Sequence, residues 1–206
     1  MSATALLVAT RSPGKLREIK PMFAAAGLTL VSLDELEIEE SDDENELEPF
    51  DTFEENALSK ARYFYEVSGG IPTVADDSGL EVDALGGKPG VRSKRWAGRR
   101  DLGGVALDEA NNEALLQAIG DVETATARYV CVAAFVAVGV ELVTRGETAG
   151  TIIRTRRGQG GFGYDPYFLS AELGRTFGES TTEEKERVSH RGRAFRSLLE
   201  RIKEGR

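Results

Sequence analysis

Apolar positions fall into two patterns along the chain. Short unbroken runs at Ala5–Ala9, Leu28–Val31 and Ile71–Ala75, and a longer one at Tyr129–Val138, predict buried strands. Helical spacing marks Leu16, Ile19 and Phe23 after a turn at Thr10–Gly14, with Pro21 expected to kink or shorten that helix. Thr52-Phe53-Glu54-Glu55 has the spacing of a capping box. The helix it opens puts Ala57, Ala61 and Phe64 on one face and stops at Gly69-Gly70. Asn111–Ile119 predicts a further helix and Glu141–Arg154 a further hairpin, while Ala194, Phe195, Leu198, Leu199 and Ile202 form the stripe of a last helix. Leu85–Gly90 is too rich in breakers for a regular element, and Gly158–Pro166 is a glycine-rich loop. Strands and helices mix without strict alternation, which predicts an α/β fold, or α+β, around a mixed sheet.

Composition narrows this. A chain of 206 residues buries one good core, so a single domain over residues 1–206 is expected, with room for two lobes. No apolar run approaches the ~20 residues of a membrane span, and no signal peptide is visible, so a cytoplasmic protein without membrane contact is expected. Cys131 is the single cysteine and lies inside an apolar run, where it reads as a small buried hydrophobe. The net charge of −9 is local: thirteen acids and no Lys or Arg lie in 34–55, leaving 26 Lys and Arg against 22 acids elsewhere. That strip is expected to be a solvated, partly disordered loop, with one or two members reaching a metal. The overall charge argues against a nucleic-acid surface, which needs a basic stripe.

Several constellations carry chemistry. Asp76-Asp77-Ser78-Gly79 follows the Ile71–Ala75 run and places two carboxylates where a strand is expected to end, a position suited to holding a metal or taking a proton. Thr10-Arg11-Ser12-Pro13-Gly14-Lys15 joins a strand to a helix start, an arrangement that binds phosphate through backbone N–H groups and a lysine. Lys60 is expected on the far face or margin of its helix, with Glu48 twelve residues earlier. Phe162, Gly163, Tyr164 and Asp165 offer stacking rings and an acid, which suits a heteroaromatic base. His190, the only histidine, and Arg191 fall between two helical stretches, where they can offer donors to a carbonyl oxygen, with Lys185 nearby.

Taken in order, TRSPGK (10–15), TFEENALSKAR (52–62), VADDSGLEVDALGGKPGVRS (74–93), FGYDP (162–166) and EKERVSHR (184–191) closely resemble the inosine triphosphate pyrophosphatase family. The resemblance spans nearly the whole chain. It implies an elongated, twisted mixed sheet flanked by helices, with two lobes and a central cleft. It also implies Mg²⁺-dependent hydrolysis of dITP, ITP and XTP to the monophosphate and pyrophosphate, by a homodimer. Carried over by position, Thr10, Arg11, Ser12, Pro13, Gly14 and Lys15 hold the triphosphate together with Lys60. Asp77 accepts a proton and binds Mg²⁺, with Glu48 as the second metal acid. Ser78 touches the substrate, and, apart from the resemblance, Asp76 is expected to orient Asp77 or to bind the metal through water. Phe162–Asp165, Lys185, His190 and Arg191 form the nucleoside pocket. Two departures stand out: Ser12 replaces the family's usual Asn, and the long acidic strip leaves Glu46 and Asp51 as alternatives to Glu48. Two other readings stand beside this one, a Maf-like pyrophosphatase of pyrimidine or modified nucleotides and a nucleotide-binding regulator without turnover.

Overall fold

The apolar runs become strands of one mixed sheet in the computed structural model, which describes residues 5–122 and 124–205. The first four residues, part of the stretch read for a targeting signal, lie outside the described ones. The elements are β1 (Leu6–Val8), α1 (Pro13–Ala25), β2 (Leu30–Ser32), α2 (Phe53–Val67), β3 (Thr73–Val82), α3 (Gly104–Ile119), β4 (Ala125–Ala137), β5 (Val140–Ile152), β6 (Phe168–Ser170), α4 (Thr182–Val188) and α5 (His190–Glu204). Strand order is β2-β1-β3-β4-β5-β6, with β1 parallel to β2 and β3, and β5 antiparallel to β6. Only Val138 and Gly139 join the neighbours β4 and β5, a link that permits no pairing but a hairpin.

Four expectations change. The stretch 141–154 is one arm of the β4–β5 hairpin, not a hairpin by itself. α3 starts seven residues before Asn111, through a segment whose Val105 is exposed and shows no apolar period. α1 continues past Pro21 to Ala25; its proline removes one donor without ending the helix. Most consequentially, β3 runs ten residues, straight through Asp76 and Asp77. The paired acids therefore sit within a strand, not at its end.

The chain forms two compact units. The first takes in the chain up to Asp77, Cys131–Gly146 and Arg191 onward; the second is Ser78–Val130 and Glu147–His190. In the first, Leu6 and Val8 of β1, Ile19 and Phe23 of α1, Val74, Cys131, Ala133, and the α5 stripe Ala194, Phe195, Leu198, Leu199 and Ile202 form one core. Phe23 meets Phe195 edge-on at 5.9 Å. The acidic strip is not without local structure. It folds into 3₁₀ turns at Asp34–Leu36 and Asp42–Glu46, the second opened by a Ser41/Glu44 capping box. Arg11 binds it by donating to both Glu44 carboxylate oxygens (2.7 and 3.2 Å) and to the Ile38 carbonyl (2.9 Å). One guanidinium thus offsets part of the charge that made this strip look disordered.

In the second unit, Leu80 and Val82 of β3, Leu115 and Ile119 of α3, Tyr129, Ile152, Phe168 and Phe177 form the core. Gly79 admits β3 to this core, because a Cβ there would overlap the Gly90 carbonyl and the Ser93 hydroxyl. That hydroxyl donates to Gly90 O (2.6 Å) and accepts from Leu80 N (2.8 Å). Gly79→Ala is accordingly expected to destabilise the protein by about 1–3 kcal/mol. Chemical denaturation checks this; an unchanged midpoint would show that the 90–95 segment yields freely.

Candidate active site

In the first unit, β1 hands the chain to the phosphate-type turn beside β3, where Ala9 N still donates to Val74 O (2.8 Å). Ser12 is the N-cap of α1, in extended conformation, with Pro13 at the first helical position. Its hydroxyl accepts from Lys15 N (3.4 Å), while Thr10 Oγ1 accepts from Ser12 N (3.2 Å). The shorter side chain that replaces the expected Asn therefore closes the cap itself. Lys15 turns inward, its Nζ 3.0 Å from Asp76 Oδ2.

Successive strand residues point to opposite faces, so Asp76 and Asp77 enter different surroundings. Asp76 is 1% exposed and faces the core side of Val74. Its Oδ2 lies 3.0 Å from Lys15 Nζ, 3.4 Å from Arg191 Nε and 3.8 Å from the Cys131 thiol; its Oδ1 is buried with no hydrogen-bond partner among the described residues. Burial alone would raise this carboxyl, but Lys15, Arg191 and Lys60 outweigh it and hold Asp76 well below the usual carboxylate range. The same pocket pushes the Cys131 thiol far up, through burial and then the Asp76 charge, so Cys131 is inert here.

Asp77 faces α2. Asn56 Nδ2 donates to its Oδ2 at 3.0 Å, and the same amide is held by Phe50, whose N–H it accepts (2.9 Å) and whose carbonyl it reaches (3.2 Å). Glu48 pairs with Lys60. Burial first, then the charge of Glu48, push the Asp77 carboxyl up to about 6, against the pull of Lys60, Lys15 and the Asn56 amide. Adjacent residues are thus driven in opposite directions, the pattern that separates acid–base roles in catalytic sites. Of the two places expected for Lys60, the structure gives the margin of the apolar stripe, not the far face. Lys60 lies one turn beyond Asn56 on the buried side of α2 (11% side-chain exposure), where the charges of Glu48, Asp76 and Asp77 raise its pKa against the opposing effect of burial.

Glu46 and Asp51 are exposed, whereas Glu48 is half-buried and acts on Asp77. The donors fit a small hard cation. Two carboxylates crowd each other, all atoms are oxygen, and Mg²⁺ takes only one or two carboxylates with water and substrate oxygens. Among the described residues no group of three or more His, Cys, Asp or Glu forms a closed metal cage, which such an open site does not require.

The second unit holds an aromatic cluster. Lys185, 5% exposed, places Nζ 2.6 Å from Asp165 Oδ2 and over the Phe162 ring at 4.9 Å. Asp165 also accepts from Phe162 N (2.8 Å) and from the Tyr129 hydroxyl (3.3 Å). The His190 ring stacks on Tyr129 at 4.5 Å and 8°. Ser78, Phe162, Gly163, Tyr164, Asp165, Lys185 and His190 therefore belong to this unit, and Thr10–Lys15, Glu48, Lys60 and Asp77 to the first.

Two residues depart from their expected grouping. Arg191, read with the nucleoside pocket, is 2% exposed in the first unit, where it pairs with Glu18 and Asp76. Consecutive residues at a helix start diverge by about 100°, so His190 and Arg191 need not share a pocket. Arg11 is engaged by the acidic strip. Asn56 was missed, although one cue was present: a polar residue among Phe53, Ala57 and Phe64 on an apolar helix face.

The fold and these centres define an α/β protein in which a buried carboxylate–lysine cluster adjoins a helix N-terminus of phosphate-binding type. The chain belongs to the Ham1 family, whose model matches residues 6–201. It is 48% identical over 204 residues to the dITP/XTP pyrophosphatase of Frankia alni, covering 97% of each chain. Among solved structures it is similar to the dITP/XTP pyrophosphatase of Mycobacterium abscessus (43% identity, TM-score 0.70, 95% of this chain and 98% of that one). A HAM1 protein from Coxiella burnetii is also similar (32% identity, TM-score 0.81, 97% and 98%).

Proposed function

We propose that this protein is a dITP/XTP pyrophosphatase that hydrolyses non-standard purine nucleoside triphosphates to the monophosphate and pyrophosphate, keeping them out of DNA and RNA. The observation that carries this is the Asp77 centre, a buried carboxylate set against Glu48 and flanked by Lys60 and Lys15. Such a site suits a substrate with about four negative charges attacked by water. Near-full-length similarity to enzymes of that name supports the same reading.

In this reading Thr10, Ser12, Pro13, Gly14 and Lys15 receive the triphosphate at the start of α1, and Lys60 offsets charge that develops on the leaving pyrophosphate. Arg11 shapes that turn by holding the acidic strip. Glu48 and Asp77 would hold Mg²⁺, which supplies Lewis-acid polarisation of phosphoryl oxygens when bound. Asp77 aligns a water against the α-phosphorus and takes its proton, with Asn56 fixing the carboxylate's orientation. Asp76 holds Lys15 and Arg191 in place. Ser78 contacts the substrate, and Phe162 offers its face to the purine. His190, oriented on Tyr129, donates to the oxygen at position 6; adenine carries an amino donor there and is mismatched, a difference worth ~10⁴-fold in a site built on such bonds. Lys185 and Asp165 neutralise each other and brace the Phe162 turn. The reading carries with it a homodimer in the cytoplasm, as the resemblance implies; among the described residues no helix is long and apolar enough to cross a membrane.

The test is pyrophosphate release from dITP, XTP, dGTP, dATP and dCTP at equal concentration, with Mg²⁺ and after chelation. Fast release confined to dITP and XTP, abolished by chelation and restored by Mg²⁺, is expected. Release from dCTP would move the assignment to the Maf-like alternative. Nucleotide binding without any release would leave a regulator.

A further inference from the structure

Gly163 sits between Phe162 and Tyr164, and both polar groups of its backbone are engaged by α3. Its N–H donates to Asp108 Oδ2 at 2.8 Å, and its carbonyl accepts from Asn112 Nδ2 at 3.0 Å. Asp108 and Asn112 lie one helical turn apart, on the same side of α3. The Asn112 amide also donates to the backbone carbonyl of Asp108 (2.8 Å), which anchors that side chain on its own helix. Gly163, which the resemblance places in the nucleoside pocket, turns its N–H and carbonyl to α3. A Cβ at Gly163 would meet none of the described residues within 4 Å, and the left-handed φ of +61° is what favours glycine there.

The loop around it needs such a hold. Gly158, Gly160, Gly161 and Gly163 give it wide conformational freedom, and each alternative conformation would carry the Phe162 ring elsewhere. Its neighbours are held too: the Asp165 carboxylate accepts from Phe162 N (2.8 Å), the Asp165 N–H donates to Phe162 O (3.3 Å), and the Tyr164 hydroxyl donates to Ser93 O (2.7 Å). These bonds hold Phe162 and Tyr164, and the one from α3 grips Gly163 between them on both its N–H and its carbonyl.

From this geometry we infer that Asp108 and Asn112 are positioning residues for the purine: through Gly163 they fix the Phe162 ring where the base stacks. The inference rests on the pyrophosphatase reading and extends it to residues outside every motif of the active site. Preorganising a stacking face lowers the ordering cost of binding, so loss of the clamp falls on KM more than on kcat.

Asp108→Ala removes the acceptor, whereas Asp108→Asn keeps one. In the unliganded D108A protein the Gly163 amide is expected to exchange with solvent at least about tenfold faster, with β4 amides unchanged as the control for folding. KM for dITP rises about tenfold while kcat stays within about twofold. D108N restores both, and Asn112→Ala repeats the KM shift. An unchanged Gly163 exchange rate, an unchanged KM, or a D108N protein as impaired as D108A each overturns the clamp. A wild-type protein that releases no pyrophosphate from any purine triphosphate overturns the pyrophosphatase reading, and the base-positioning role with it. The exchange data, taken without nucleotide, then still separate a missing clamp from a wrong substrate.

Discussion

Asp77→Asn is expected to lower kcat for dITP at least ~10²-fold while leaving thermal stability equal or raised. The loss follows from removing the proton acceptor, whose contribution is on that scale. The stability follows from the surroundings. Asp77 is buried and repelled by Glu48, so its charge costs the folded state free energy, and a neutral amide of the same shape relieves that cost. The new side chain still presents an oxygen to Asn56 Nδ2, so the local hydrogen bond survives. Activity and stability moving apart is the signature of a residue kept for chemistry at the expense of folding. Single-turnover kinetics and a thermal melt on the same preparation check it. A D77N enzyme with near-normal kcat would remove Asp77 from the role of base, and one that melts lower would show the site to be structural.

The second large effect belongs to the other acid. Arg191→Met should cost about 3–5 kcal/mol, the scale for breaking a buried ion pair by removing one partner. Asp76 and Glu18 both lose their guanidinium, and Asp76 is left with the charges of Lys15 and Lys60. Asp76→Ala should cost a similar amount from the opposite side, by leaving Arg191 and Lys15 without their shared anion. Because the residues touch, the double variant should fall short of the sum of the singles by at least ~1 kcal/mol. For a chain of this length the single changes correspond to roughly 10 °C in Tm. Denaturant titration of the four proteins gives the cycle. An Arg191→Met protein within about 1 kcal/mol of wild type would mean that the network is ornamental to folding.

Much of this molecule is legible along the chain. Leu6–Val8, Val74 and Tyr129–Val136 needed only their apolar continuity to be read as strands, and the α5 stripe only its period. The turn Thr10–Lys15 announces a helix N-terminus through Ser12 and Pro13, because capping chemistry is local. Local rules also account for the misses. The far-face alternative for Lys60 arises from judging α2 by its alanines; with Asn56 included, residues 53, 56, 57, 60, 61 and 64 form one continuous face with Lys60 toward its margin. The acidic strip was read as loose because its partner, Arg11, lies 33 residues from Glu44. α3 was shortened because its first turns carry an exposed valine instead of a stripe.

The sequence by itself determined the elements, the mixed-sheet class, the motif residues and, through them, the family, since propensity, period and capping act within a few residues. Tertiary structure alone decided what the acids do. Asp76 and Asp77 are neighbours of identical chemistry, yet strand alternation turns one toward Arg191, 115 residues away, and the other toward Asn56 and Glu48. A carboxylate's protonation and role depend on the sum of charges and on the water excluded around it. Those are properties of the folded surroundings, assembled from segments that no local pattern connects.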